Sequence, residues 1–405
     1  MDATPNDLHF RLRGLRFWKR RSPGKVDILD DSLDRDEIYL ELNTAWDAFE
    51  KGDYESATLH SRNVINKSEP GTDAAVKGQL ILLKMKTRKG LFAGLLDELE
   101  ELFQGNLRIS AGTQAAIANE IIRICQRSEN LALGAQRGEV MIRDFSHQWP
   151  DVEVVELLCQ VAACHFLRGD VNRSEELITR AIHLAQESNS PKSLAQSYWQ
   201  MSSVSAGRGN MPISLSQNEE ARHWAKLAEM NRILPILNSN AAAILLELPA
   251  QDLPHIHQLA ESAYLELTAL NDPASASYAC VTLAEVELRQ FNFQGAHAYV
   301  DRGLAELPPE IPGPRASLYI QKAKILARTG NYMNSEAQAE NAIKILQTMD
   351  ASQPVATSWG HLARVFVEIG QVDRGAYAYE QALQIAGVVR EEPEMEIRRI
   401  NQKQY

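Results

Sequence analysis

Nine times along the chain a short segment centred on glycine, or on a residue standing in its place, returns at a nearly fixed interval. The clearest copies are Lys51-Gly52-Asp53-Tyr54-Glu55-Ser56-Ala57, Arg168-Gly169-Asp170-Val171, Arg208-Gly209-Asn210-Met211, Thr329-Gly330-Asn331-Tyr332 and Ile369-Gly370-Gln371-Val372. Weaker copies are Lys89-Gly90-Leu91-Phe92, Glu129-Asn130-Leu131, Ala250-Gln251-Asp252 and Gln290-Phe291-Asn292-Phe293. With the glycine place as marker they fall at 52, 90, 130, 169, 209, 251, 291, 330 and 370, spaced 38, 40, 39, 40, 42, 40, 39 and 40 residues apart. So steady a period over most of 405 residues points to one unit stacked on copies of itself, each burying its apolar face on its neighbours.

The residues around each marker define that unit as helix, tight turn, helix. Glycine permits the left-handed backbone that ends the first helix. The Asp or Asn beside it can cap the second. Five residues on stands a small side chain (Ala57, Ser174, Ser214, Ala296, Ser335, Gly375), which lets two helices approach. Seven further on a small apolar position follows: Val64, Ala181, Ala221, Ala342, Ala382. Aromatics recur eleven before the marker at Tyr198, Tyr319 and Trp359, and Leu177, Ile178, Ala181, Ile182 and Leu184 keep the helical period. The hairpins around Gly90, Asn130 and Gln251 are degenerate, and Pro235, Pro249 and Pro254 are expected to break or kink helices in the sixth unit.

These are residues of the tetratricopeptide signature, so the chain resembles that superfamily over about residues 36–388, with a period longer than the usual one of about 34 residues. The resemblance implies an all-α fold, a right-handed α-solenoid of about nine hairpins. Residues 1–35 would precede it and residues 389–405 would form a charged cap or tail. It also implies binding: such arrays take peptides, proteins or their own regulatory segments. A second resemblance lies in Asp36-Glu37-Ile38-Tyr39-Leu40-Glu41-Leu42 leading into Phe49-Glu50-Lys51-Gly52-Asp53-Tyr54. It looks like the junction in bacterial transcription regulators that join a helix-turn-helix to such repeats, a layout shared by peptide receptors of bacterial quorum sensing. The roughly 35 residues ahead of the array are too few for a helix-turn-helix domain, so DNA binding is not carried over.

The formal net charge of −11 opposes indiscriminate nucleic-acid binding. Charge is uneven, however. Arg11, Arg13, Arg16, Lys19, Arg20 and Arg21 are mixed with Phe10, Phe17 and Trp18, a segment that could touch an anionic membrane or nucleic acid. Six acids between Val26 and Glu37 follow it. Four cysteines without a CxxC pair read as reduced thiols in a cytoplasmic protein. No apolar run reaches the roughly 18 residues of a membrane span. Phosphate loops, dinucleotide fingerprints, nucleophile elbows and zinc helices are missing. The expectation is therefore no enzyme and no cofactor.

Arrays of this kind bind on the concave face, lined by the first helices. Thirteen residues before the markers stand Glu156, Gln196, Asn238, Tyr278, Ser317 and Thr357; nine before stand Gln160, Gln200, Ala242, Thr282, Gln321 and His361. Amides offer a peptide backbone both donor and acceptor. Arg289, Lys324, Arg328 and Arg364 could hold a carboxylate. The expected peptide- or protein-binding set is Gln160, Gln196, Gln200, Asn238, Tyr278, Gln321, Lys324, Arg328, His361 and Arg364; a merely solvated groove wall would carry the same rows. The expected function is a peptide- or protein-binding adaptor or regulator. The rivals are the sensor part of a transcription regulator without its own helix-turn-helix, and a self-associating scaffold.

Overall fold

The computed structural model describes residues 31–105, 108–128 and 130–386, with side chains from residue 36. The chain divides into two units, 1–37 and 38–405, and the repeat array lies in the second. Its helices pair in chain order: α1 (Asp31–Lys51) with α2 (Tyr54–Lys67), α3 (Asp73–Arg88) with α4 (Leu95–Gly105), α5 (Ala111–Arg127) with α6 (Leu131–Asp144), α7 (Asp151–Leu167) with α8 (Val171–Glu187), and α9 (Pro191–Gly207) with α10 (Met211–Leu227). They continue as α11 (Ile233–Glu247) with α12 (Leu253–Ala269), α13 (Pro273–Arg289) with α14 (Phe293–Glu306), α15 (Pro312–Arg328) with α16 (Tyr332–Leu346), and α17 (Gln353–Glu368) with α18 (372–386). Every one of the nine sequence markers falls between the two helices of a hairpin. The fold is an all-α, right-handed α-solenoid of tetratricopeptide-like hairpins.

The turns form for the expected local reasons. Gly52 and Gly330 take left-handed backbone, φ +80° and +75°. Asp53 caps α2 through the Ser56 amide (3.0 Å), and Asp170 caps α8 through that of Arg173 (3.1 Å). The small residues five beyond the marker lie where paired helices meet: Ala57, Ser174, Ser214, Ala296 and Ser335 are all fully buried. Two of the serine hydroxyls are satisfied across that seam, Ser214 Oγ donating to Ser202 O (2.9 Å) and Ser335 Oγ to Ala323 O (2.8 Å). Between hairpins, side chains such as Leu157, Leu158 and Val161 of α7 are sealed from water, each contributing about 2 kcal/mol of burial.

The prolines of the sixth hairpin do not break it. Pro254 lies in the first turn of α12, Pro235 is the third residue of α11, and Pro249 is in the loop between them. A first-turn N–H has no intrahelical partner, so proline there removes nothing. The irregularity lies instead in the second and third hairpins, where α4 has only 11 residues and a 3₁₀ turn, Ser146–Gln148, follows α6.

The array also winds back onto itself. The α1/α2 turn rests on the joint between the sixth and seventh hairpins. A Cβ at Gly52 would lie 2.9 Å from Leu270 O. Asn271 Nδ2 donates to Gly52 O at 3.0 Å. The Arg232 guanidinium donates to Phe49 O (2.6 Å), Glu50 O (2.9 Å) and Leu270 O (2.9 Å). Arg88 and Arg232 flank the Phe49 ring at 5.0 and 5.5 Å, and Asp272 stands 3.8 Å from Arg88.

Candidate binding face on the first helices

Polar contacts link several first helices to the next. Lys84 of α3 meets Glu120 of α5 at 3.1 Å. Arg123 of α5 bridges Glu120 (2.6 Å) and Glu156 of α7 (2.5 Å), and Gln126 Nε2 donates to Gln160 O at 2.6 Å. Farther along, Glu285 of α13 accepts from Arg289 Nε (2.9 Å), from Gln321 Nε2 of α15 (2.9 Å) and from Lys324 Nζ (2.7 Å). Arg328 Nε pairs with Glu368 of α17 at 2.6 Å.

On two groups of this face, Glu156 and His361, charges from several first helices act together. Glu156 of α7 is acted on by Arg123 of α5, Lys84 of α3 and Lys192 of α9. Burial would raise its pKa, and those three cations bring it down instead. Glu120 is handled likewise: burial opposes its charge, but Lys84 and Arg123 hold its carboxyl well below the usual range. His361 of α17 feels Arg364 beside it, Lys324 of α15, Glu285 of α13 and Glu247 of α11. Its pKa falls, first through desolvation and then through the two cations. The imidazole is nonetheless open to water, as expected of a side chain standing in a hollow.

The expected binding residues divide into three groups. Gln321 is buried at 7% exposure, and Lys324 is half-buried; both are tied to Glu285. They sit with exposed His361 and Arg364 at one end of the face. Arg364 forms no ion pair among the described residues, whereas Arg328 is committed to Glu368. In the middle, Gln196, Gln200 and Asn238 are half-buried, and the Gln196 Oε1 is enclosed without a hydrogen-bond partner. Tyr278 of α13 is half-exposed. Gln160 lies toward the other end, its carbonyl already bonded. Arg11, Arg13, Arg16, Lys19, Arg20 and Arg21 lie outside the described residues. Sequence reasoning missed Lys84 and Glu285, although both stand six residues before a marker, in the same row as Lys324 and Arg364.

No protein-family profile and no curated protein matches the chain. Solved structures do. A Rap protein complexed with competence and sporulation factor superposes with a TM-score of 0.60 at 13% identity, covering 88% of this chain and 99% of that one. NprR in complex with its cognate peptide NprX superposes with a TM-score of 0.56 at 12% identity, covering 89% of this chain and all of its own. At such identities the likeness is one of fold, an α-solenoid of helical hairpins. No described helix is long and apolar enough to cross a membrane.

Proposed function

We propose that the protein is a non-enzymatic, cytosolic regulator that binds a peptide or protein segment on the concave face of its first helices. The amides of α9 and α11 would take the backbone of an extended segment, and Arg364, beside His361, would take a carboxylate. The observation that carries this is Arg364, an exposed guanidinium in a hollow where neighbouring Lys324 and Arg328 are already neutralised by Glu285 and Glu368. A preformed, unpaired guanidinium at the end of a row of amides suits charge-assisted recognition of an acidic group. The reading is supported by the superposed NprR, solved with its cognate peptide, and by the Rap protein solved with competence and sporulation factor. Four buried, unpaired thiols accord with a reducing compartment.

The test is selection of a displayed peptide library on the purified full chain, followed by affinity measurement on Arg364→Ala. Acidic sequences should be enriched, and Arg364→Ala should weaken them by at least tenfold, as expected for a lost charged hydrogen bond of about 1.5–3 kcal/mol. A library that yields no binder, or binders indifferent to Arg364→Ala, overturns the reading.

A further inference from the structure

In an array of helical hairpins, the turns within hairpins line one edge and the joints between hairpins line the other. Here one superhelical turn lays the first edge on the second at a fixed offset. The turn of hairpin 1, at Gly52, meets the joint between hairpins 6 and 7 at Leu270. The turn of hairpin 2, at Gly90, meets the joint between hairpins 7 and 8, where an added Cβ would lie 2.9 Å from the Ile311 side chain. Farther along the same edge no described residue is laid on the turns of the eighth and ninth hairpins: a Cβ at Gly330 or Gly370 would meet nothing within 4 Å. That open stretch carries apolar side chains in water, with Phe291 78% exposed and Met333 80% exposed beside Tyr332 and Val372. Phe291 even occupies the glycine place with left-handed backbone, φ +62°, a conformation unfavourable for a bulky residue.

We propose that this open edge docks a second copy of the chain, repeating between molecules the contact that the first hairpin makes within one. Register is the argument. Carried past the ninth hairpin, the same offset sets the Gly330 turn on the joint between hairpins 4 and 5 of a following copy. That joint is Ser188-Asn189-Ser190-Pro191, and it is built like the joint already in use, Leu270-Asn271-Asp272-Pro273. Asn189 and Asn271 both have left-handed backbone, φ +46° and +52°. The next residue caps the following helix in each case, Ser190 through the Ser193 amide and Asp272 through that of Ser275, both at 3.3 Å. Asn271 spends its side chain on Gly52 O, whereas Asn189 is exposed and its side chain has no partner among the described residues. The facing motifs correspond too: Gly330-Asn331-Tyr332 keeps the glycine and the tyrosine of Gly52-Asp53-Tyr54, with Asn in place of Asp. The same register brings Phe291 to the joint after α6, which holds the stacked Phe145–Trp149 pair. The surfaces that meet differ, so the association is head-to-tail and open-ended. It does not depend on the concave face.

The test is sedimentation velocity of the full chain over a range of concentrations. The mass should rise above the 45.3 kDa of one chain as concentration increases. Met333→Glu should block one edge and Asn189→Glu the other, each holding the chain as a monomer with an unchanged circular-dichroism melt. Mixed in equal amounts, the two variants retain one good edge each and should form a dimer that grows no further. A wild-type chain that stays at one mass throughout overturns the proposal. So does self-association that survives both substitutions, or a mixture that stays monomeric.

Discussion

Replacing Arg232 by alanine asks whether one side chain locks the first hairpin onto the sixth and seventh. Arg232 is 5% exposed, and its guanidinium donates to Phe49 O, Glu50 O and Leu270 O, with the Tyr54 hydroxyl at 3.3 Å. Phe49 O keeps the Gly52 amide at 3.1 Å, so truncation leaves two carbonyls, those of Glu50 and Leu270, without a donor. Each buried acceptor left bare costs about 1–3 kcal/mol, and water entering the vacated space recovers part of that. Loss of the cation over the Phe49 ring adds about 1 kcal/mol. Relief from the neighbouring Arg88, whose own pKa is pushed down to about 10 by burial and then by Arg232, works the other way. The net loss is about 3 kcal/mol, or about 100-fold in an opening equilibrium. Hairpins in a solenoid depend chiefly on their neighbours, so the lock should open without unfolding the array. In hydrogen-exchange mass spectrometry the amides of Asn271 and Asp272, bonded to Thr268 O and Leu267 O at 3.0 Å each, should lose about 100-fold protection. Those of Gly52 and Asp53 should follow, while α7 to α9 stay protected. Arg232→Lys keeps the charge but not the fork and should recover only part. Unchanged protection at both turns, or a loss spread evenly along the array, would refute the reasoning.

Gly52→Ala and Gly330→Ala place alanine on nearly the same left-handed backbone, φ +80° and +75°, which costs about 1 kcal/mol at either site. Only at position 52 does the new methyl lie 2.9 Å from a carbonyl of another hairpin; Gly52→Ala should therefore lower the urea midpoint clearly more than Gly330→Ala, and equal losses would count against the packed turns. His165 stands between Glu139 Oε1 (3.1 Å) and Asp170 Oδ2 (3.4 Å). Burial opposes its charge, but the neighbouring carboxylates of Asp170 and Glu139 outweigh burial and raise its pKa. That stabilisation is complete below about pH 6.5, the unfolded value, and is lost as pH rises through the higher folded value. Wild type should lose stability between pH 6 and 9 relative to His165→Gln; parallel urea curves for the two would reject the assignment.

How far the molecule could be read from its sequence depends on how far apart the interacting residues are. The turn at Gly52, the cap at Asp53 and the helix contact at Ala57 involve neighbours within a few positions, so the residues themselves carry the signal. The rows on the first helices need only that successive repeats stay in register, and Lys324 and Arg364 could be placed together on that ground. What no row could show is which of these charges are already spent. Glu285 takes Lys324 and Gln321 out of circulation and leaves Arg364, although all three polar side chains look alike along the sequence. The lock at Arg232 lies further out of reach. It joins residues 182 positions apart, and their meeting depends on small rotations accumulated over more than four hairpins. Arg232 itself resembles any arginine preceding a helix. The same accumulation explains why Gly52 and Gly330, set in closely similar motifs, have opposite surroundings: a later superhelical turn lies against the first, and none among the described residues lies against the second. A repeat sequence states what each hairpin can bind, and only the winding decides which of those surfaces the chain has already used on itself.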